Sequence, residues 1–197
     1  MRFGGQRTVG SRAIMRRLDL LAPQPPLLPA ADDPDRARLL EAELWGDEVL
    51  QSTTRRIIDA AFVRHPAAME SYVVDAEFPL PRSMMRLSLP LAARLLALRN
   101  EARDNAVRAD LLALPGQLGR IDGWIASGLL GGEQPNAADL QIGSSIRLLM
   151  TIVDLGPLLD GRPAAQLVRY FPPINGAVKS GVLPAEWPTE AAAASAG

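Results

Sequence analysis

The stretch "GLLGGEQPNAADLQIGSSIRLLMTIVDLG", residues 128–156, decides the fold. Asn136 and Asp139 stand three residues apart, the N-cap and N3 spacing. The Asn136 side chain can accept from the Asp139 amide while the Asp139 carboxylate reaches back to the Asn136 amide. Behind this capping box come Leu140, Ile142, Ile146, Leu148, Leu149, Ile152 and Val153, apolar nearly all round, with Gly143, Ser144 and Ser145 small enough for close helix approach. A helix apolar on every side is a buried central helix. Asn136 and Asp139 are therefore structural rather than catalytic, and losing the cap costs on the order of 1 kcal/mol. Arg147, the one charge inside the run, must find a partner or reach solvent.

Helical periodicity extends upstream from this centre to residue 34. Asp104 or Asn105 caps a helix carrying Leu111, Leu114, Leu118, Ile121 and Ile125 at helical spacing, with a kink expected at Pro115. Further helices are predicted over roughly 82–100 and from Pro66 through Val74, divided by the break "EFPLP" at 77–81. Asp33 and Pro34 have N-cap and N1 chemistry for a long scaffold helix to about Arg64, with Leu40, Leu44, Ile57 and Ala61 among its apolar positions. Downstream, "GRPAAQLVRYF" at 161–171 predicts a last short helix, and residues 189–197 read as a disordered tail.

The first 22 residues differ in kind. "RF" and "QRTV" read as two short strands joined at Gly4-Gly5, a pair that supplies the positive φ angles of a tight hairpin. Ser11 then caps a helix with Ile14, Leu18 and Leu21 on one face. Residues 23–33, rich in proline, form a linker to an all-helical domain over 34–188. The opening arginines, with no acid before Asp19, have transit-peptide composition, but the glycine pair and the alternation favour the hairpin.

Composition narrows the chemistry. The 197 residues contain no cysteine and one histidine, His65, which removes thiolate and zinc chemistry, so no metal is expected. Net charge is −1, and Lys179 is the only lysine among 21 basic residues, a balance that argues against nucleic acid. The longest apolar run, 87–98, is cut by Pro90 and Arg94, so no membrane span is expected and the chain reads as soluble and cytoplasmic. A transcriptional regulator fails at its own entrance, where a hairpin and a proline linker replace a helix-turn-helix.

Residues 131–142, taken with "GSRAI" at 10–14, the proline linker, "WGDEVLQ" at 45–51, "GRPAA" at 161–165 and "LPAEW" at 183–187, resemble a bacterial branch of the cytosolic glutathione S-transferase family along nearly the whole chain. The resemblance implies a mainly α fold, a transferase C-terminal-type helical bundle preceded by a short ββα remnant of a thioredoxin-like domain. It also implies a glutathione-binding position at Gly10 and Ser11, where a serine hydroxyl and helix amides hold a carboxylate. Ser11 matches the family's serine, and Gly10 stands where the family carries an acid or amide. The family's first βαβα, with its thiol-activating residue, has no counterpart here, so no catalytic residue is assigned and negligible conjugation is expected of this truncated chain.

Trp45, Glu48, Ser52 and Arg55, at i, i+3, i+7 and i+10 of the long helix, are the family-implied lining of a pocket for a small-molecule electrophile, against the alternative of an ordinary solvated face. Ser11 is likewise either a substrate holder or a plain helix cap. Tyr72 and Tyr170 match no catalytic position and read as packing residues, and His65 reads as a surface residue at a helix junction. The function implied is that of a detoxification-type transferase relative, with glutathione as substrate and a possible homodimer. The alternative is a non-catalytic helical interaction module, because lone first and long helices would leave apolar surface exposed.

Overall fold

The computed structural model describes residues 2–3, 6–74 and 82–188. The Gly4-Gly5 pair, the "EFPLP" break and the 189–197 tail lie outside the described residues. The chain is mainly helical, in the order β1 (Arg2–Phe3), β2 (Gln6–Arg7), α1 (Ser11–Leu21), α2 (Arg36–Trp45), α3 (Gln51–Arg64), α4 (Met69–Tyr72), α5 (Arg82–Arg99), α6 (Asp104–Ala126), α7 (Ala137–Leu149) and α8 (Gly156–Leu159). The strands pair antiparallel, Arg2 with Arg7 and Phe3 with Gln6, so the second strand is two residues shorter than the reading "QRTV". No helix among the described residues is long and apolar enough to cross a membrane.

α7 is the centre the sequence predicts. Asn136 accepts from the Asp139 amide at 2.9 Å, and the Asp139 carboxylate accepts from the Asn136 amide at 3.0 Å and from Gly131 at 2.8 Å. Ile142, Ile146 and Leu149 are completely buried, each burial contributing about 1.5–3 kcal/mol. Burial also raises the Asp139 pKa, against the lowering effect of the two amides. α7 is approached closely on two sides by way of glycine. A Cβ on Gly143 would lie 2.8 Å from the Phe171 ring, and one on Gly46 would lie 2.8 Å from Ile142 Cγ1.

α6 packs alongside with Leu111, Leu114, Leu118 and Ile121 fully buried and runs through Pro115 as one helix. Neither proposed cap serves it: Arg103 occupies the N-cap, and Asp104, in the first turn, pairs with Arg64 at 2.8 Å. The scaffold helix begins later than the Asp33-Pro34 signal indicates. Asp33 Oδ1 accepts from the Asp35 amide at 2.8 Å, a local turn that holds residues 33–35 outside the helix. Its core positions there are Leu39 and Ala42 rather than Leu40 and Leu44. Between α2 and α3 the chain makes one π-helical turn, Gly46–Leu50.

The proline-rich segment 23–33 is docked rather than free. The Leu27 amide donates to Asp19 at 2.6 Å, its carbonyl accepts from Ala137 at 2.8 Å, and Leu27 and Leu28 pack against the core. The Ala137 amide is one of the donors that a helix N-terminus leaves unpaired, so the segment completes the cap of α7. After α7, Ile152 bridges to Val178, and residues 163–170 form a 3-10 helix rather than an α-helix, started by Asp122 accepting from the Ala164 amide at 2.9 Å. Asp154 accepts from the amides of Gly181, Val182 and Leu183 at 2.7–3.1 Å, which fixes the last described stretch.

Candidate functional site

The start of α1 meets the π-helical turn and α7 in one small polar cluster. Gly10 holds the N-cap with φ at +92°, a left-handed conformation that disfavours any side chain. Ser11 is thus the first helical residue and makes no cap bond, contrary to its reading as N-cap. Its hydroxyl donates to Asp47 Oδ1 at 3.3 Å, and Gln141 Nε2 donates to the same oxygen at 3.4 Å. The positive φ favours glycine at residue 10, since a larger residue there would be strained.

α1 is pinned to α2 by charge. Glu43 is completely buried and accepts from Arg16 Nη1 at 2.9 Å and from Arg16 Nη2 on its other oxygen, with Arg12 Nε at 3.5 Å. Met15 is the residue of α1 that is buried; Leu18, Leu20 and Leu21 are exposed. The predicted stripe of Ile14, Leu18 and Leu21 therefore does not anchor the helix. Met15, one position round from Ile14, does so together with two arginines whose charge is matched by a buried carboxylate.

The four residues expected to line an electrophile pocket lie in different surroundings, two of them together. Trp45 packs edge-on against Trp124, with ring centroids 5.2 Å apart, and Arg120 lies 4.8 and 5.2 Å from the two ring centroids. Glu48 is exposed. Ser52 and Arg55 border a different hollow of about 220 Å³, shared with Arg56, Arg99, Asn100 and Glu101. The π-helical turn Gly46–Leu50 lies between Trp45 and Ser52, and one wide turn delays the following residues by about one position, roughly 100° of rotation, relative to α-helical counting.

That hollow is polar and internally compensated. Arg56 grips buried Asp110 in two bonds of 2.6 and 2.8 Å, and the pair raises the Arg56 pKa. Asn100 donates to Asp59 at 2.7 Å; burial raises the Asp59 pKa, offset in part by Asn100 and Arg55. Apolar character lies elsewhere, in a hollow of about 370 Å³ between Arg147, Met150, Thr151, Phe171 and Ile174. Arg147 finds no acidic partner among the described residues; its guanidinium sits 5.7 Å from the Phe171 ring centroid. Tyr72 packs on Phe62 and hydrogen-bonds Thr151 at 2.5 Å, with burial raising its pKa, and Tyr170 donates to the Gly132 carbonyl. Both tyrosines are packing residues with a polar tip, as read.

No protein-family model, curated protein or solved structure matches the chain. Its chemistry is therefore argued from its own side chains. Among the described residues no group of three or more His, Asp or Glu is arranged to hold a metal ion. Asp47, Gln141 and Glu43 were missed in the sequence. Asp47 and Glu43 share the i, i+4 spacing of countless solvated helix faces, and nothing local marks Glu43 as buried or Asp47 as the partner of a serine 36 residues away.

Proposed function

We propose that the chain is a glutathione S-transferase-family protein, related to enzymes that join glutathione to small electrophiles, and that it binds the γ-glutamyl end of glutathione at Ser11 and Asp47. The single observation that carries the reading is the Ser11–Asp47–Gln141 cluster at the first turn of α1, beyond a two-stranded hairpin and against the capped central helix. An α-amino-acid group carries one positive and one negative charge. The first amides of α1 and the Ser11 hydroxyl suit its carboxylate, and the Asp47 carboxylate suits its ammonium. Gln141 orients Asp47. In this reading Gly10 contributes its backbone geometry rather than a side chain.

The cluster binds without activating. Lowering a thiol pKa needs donors aimed at the sulfur, and the one hydroxyl of the cluster donates to a carboxylate. Isothermal titration of the folded chain with glutathione tests the reading. Binding is expected, weakened at least about tenfold, or about 1.4 kcal/mol, in Ser11→Ala and in Asp47→Ala. Turnover with a general thiol-reactive electrophile is expected to be negligible. Absence of binding by the folded wild-type chain refutes the proposal.

A second reading, a non-catalytic helical interaction module, is favoured by a different observation. α5 turns five large apolar side chains to solvent.

A further inference from the structure

The last turns of α7 lie under a short strap. Phe171 opens it with its ring seated on Gly143, where a Cβ would lie 2.8 Å from the ring, and Gly176 closes it against the Tyr72 ring, which leaves no room for a side chain. The residue after it is tied as well, the Ala177 amide donating to Ser71 Oγ at 3.0 Å. Between these pinned ends run Pro172, Pro173, Ile174 and Asn175. Two consecutive prolines with fixed φ keep the span extended, and the hollow of about 370 Å³ lies between it and α7. A hollow framed by pinned backbone is preformed, which spares a ligand the cost of ordering it.

Its lining is apolar except at one point. Met150 and Ile174 supply aliphatic surface, and Pro172 and Pro173 bring no amide donor. Thr151 donates its proton to the Leu148 carbonyl at 2.6 Å and accepts from Tyr72, so it has no donor to offer. Arg147 is the one charged residue of the lining among the described residues. Its Nε is buried without a hydrogen-bond partner, and its guanidinium faces the Phe171 ring at 5.7 Å rather than a carboxylate. A ring face is a weak counter-charge for such a cation, and a carboxylate meeting the guanidinium in two parallel bonds is a strong one.

These groups define the occupant, which must bring one anionic acceptor and otherwise apolar surface. A zwitterion such as glutathione needs an acid for its ammonium, and none lines the hollow. Gln141 of the Ser11–Asp47 cluster stands six residues before Arg147 on α7, about 9 Å along the axis and roughly 240° round it, so the two places are separate. We propose that the hollow binds a free aliphatic monocarboxylate of medium chain length, its carboxylate on Arg147 and its tail beneath the Pro172–Ile174 strap. The inference depends neither on glutathione binding nor on the exposed face of α5. At about 30 Å³ for a water-sized group the hollow takes roughly twelve such groups, and octanoate, with about ten non-hydrogen atoms, suits it.

Isothermal titration of the folded full chain with octanoate and with octanamide, its neutral isostere, tests the site. Wild type is expected to bind octanoate with a Kd on the order of 0.1–1 mM, at least about tenfold more tightly than octanamide. In Arg147→Met that preference should disappear, while Arg147→Lys, which keeps the charge, should retain most of it. An arginine that only supports the fold would shift both ligands together. Ile174→Glu, at a residue 38% exposed, adds a carboxylate that repels the ligand's and competes for Arg147. It should weaken octanoate at least about tenfold with helicity by circular dichroism unchanged, and with the wild-type preference it decides the question even if Arg147→Met does not fold.

Saturating octanoate should leave a glutathione titration unchanged. Absence of octanoate binding by the folded wild type up to about 10 mM, or equal affinity for octanoate and octanamide, overturns the proposal. Displacement of octanoate by glutathione places it at Ser11 and Asp47 and also overturns it. Octanoate binding in a wild type that does not bind glutathione supports this inference and refutes only the other.

Discussion

Replacing Asp139 by alanine tests the element on which the fold is built. The Asp139 side chain is completely buried and accepts two backbone amides, Gly131 at 2.8 Å and Asn136 at 3.0 Å. The variant leaves both donors without that acceptor. Each buried donor left unsatisfied costs about 1–3 kcal/mol, and no longer burying a carboxylate returns part of this, so the net loss is about 2–4 kcal/mol. For a chain of this size that lowers Tm by roughly 4–16 °C. Asp139→Asn costs less, because its one carbonyl oxygen keeps one of the two amides. The pH dependence has a definite sign. Burial raises the folded-state pKa of Asp139 above its ordinary 3.8, so its contribution is full below that value and is lost as pH rises through the raised one. The deficit of Asp139→Asn relative to wild type therefore narrows as pH is raised. Urea denaturation at several pH values measures both effects. A loss below about 1 kcal/mol for Asp139→Ala, the ordinary worth of an exposed cap, refutes the view that α7 is held from its buried first turn.

Two other substitutions probe the docking of α1 and the crossing at the π-helical turn. Glu43→Gln leaves Arg12 and Arg16 without a counter-charge; both arginines are about one-third exposed, so the cost falls below that of a fully buried pair, at about 1–3 kcal/mol. Hydrogen exchange should then show protection lost over residues 11–21 and retained in α7, and unchanged protection in α1 contradicts the assignment. Gly46→Ala places a methyl 2.8 Å from Ile142 Cγ1, costing about 1–3 kcal/mol through overpacking, and the same substitution should cost less in an Ile142→Ala background, where that carbon is absent. Strict additivity of the two in chemical denaturation refutes the close crossing.

What the sequence discloses here depends on range. The capping box, the buried stripe of α6 and the pairing of β1 with β2 all follow from residues within a turn or two of one another, and the structure contains them. The caps misread at Ser11 and at Asp104 or Asn105 are also local, yet they failed because a better-placed competitor decided the geometry. The positive φ of Gly10 begins α1 one residue early, and Asp104 is turned toward Arg64 on another helix. The proline segment shows the opposite error. Prolines predict an extended path but do not say that its carbonyls are unused, and the Leu27 carbonyl is taken by the first amide of α7. An amide left over at a buried helix start is a demand for a partner, and the nearest extended chain met it.

The candidate site was less legible because its register depends on a feature that has no sequence signature of its own. A π-helical turn forms where packing rewards an extra residue, and here Gly46 lets Ile142 approach to a distance that a side chain would block. The turn carries Asp47 to Ser11 and Gln141, and it separates Trp45 from Ser52 and Arg55. One close contact thus assembles a polar cluster that α-helical counting from the sequence does not bring together.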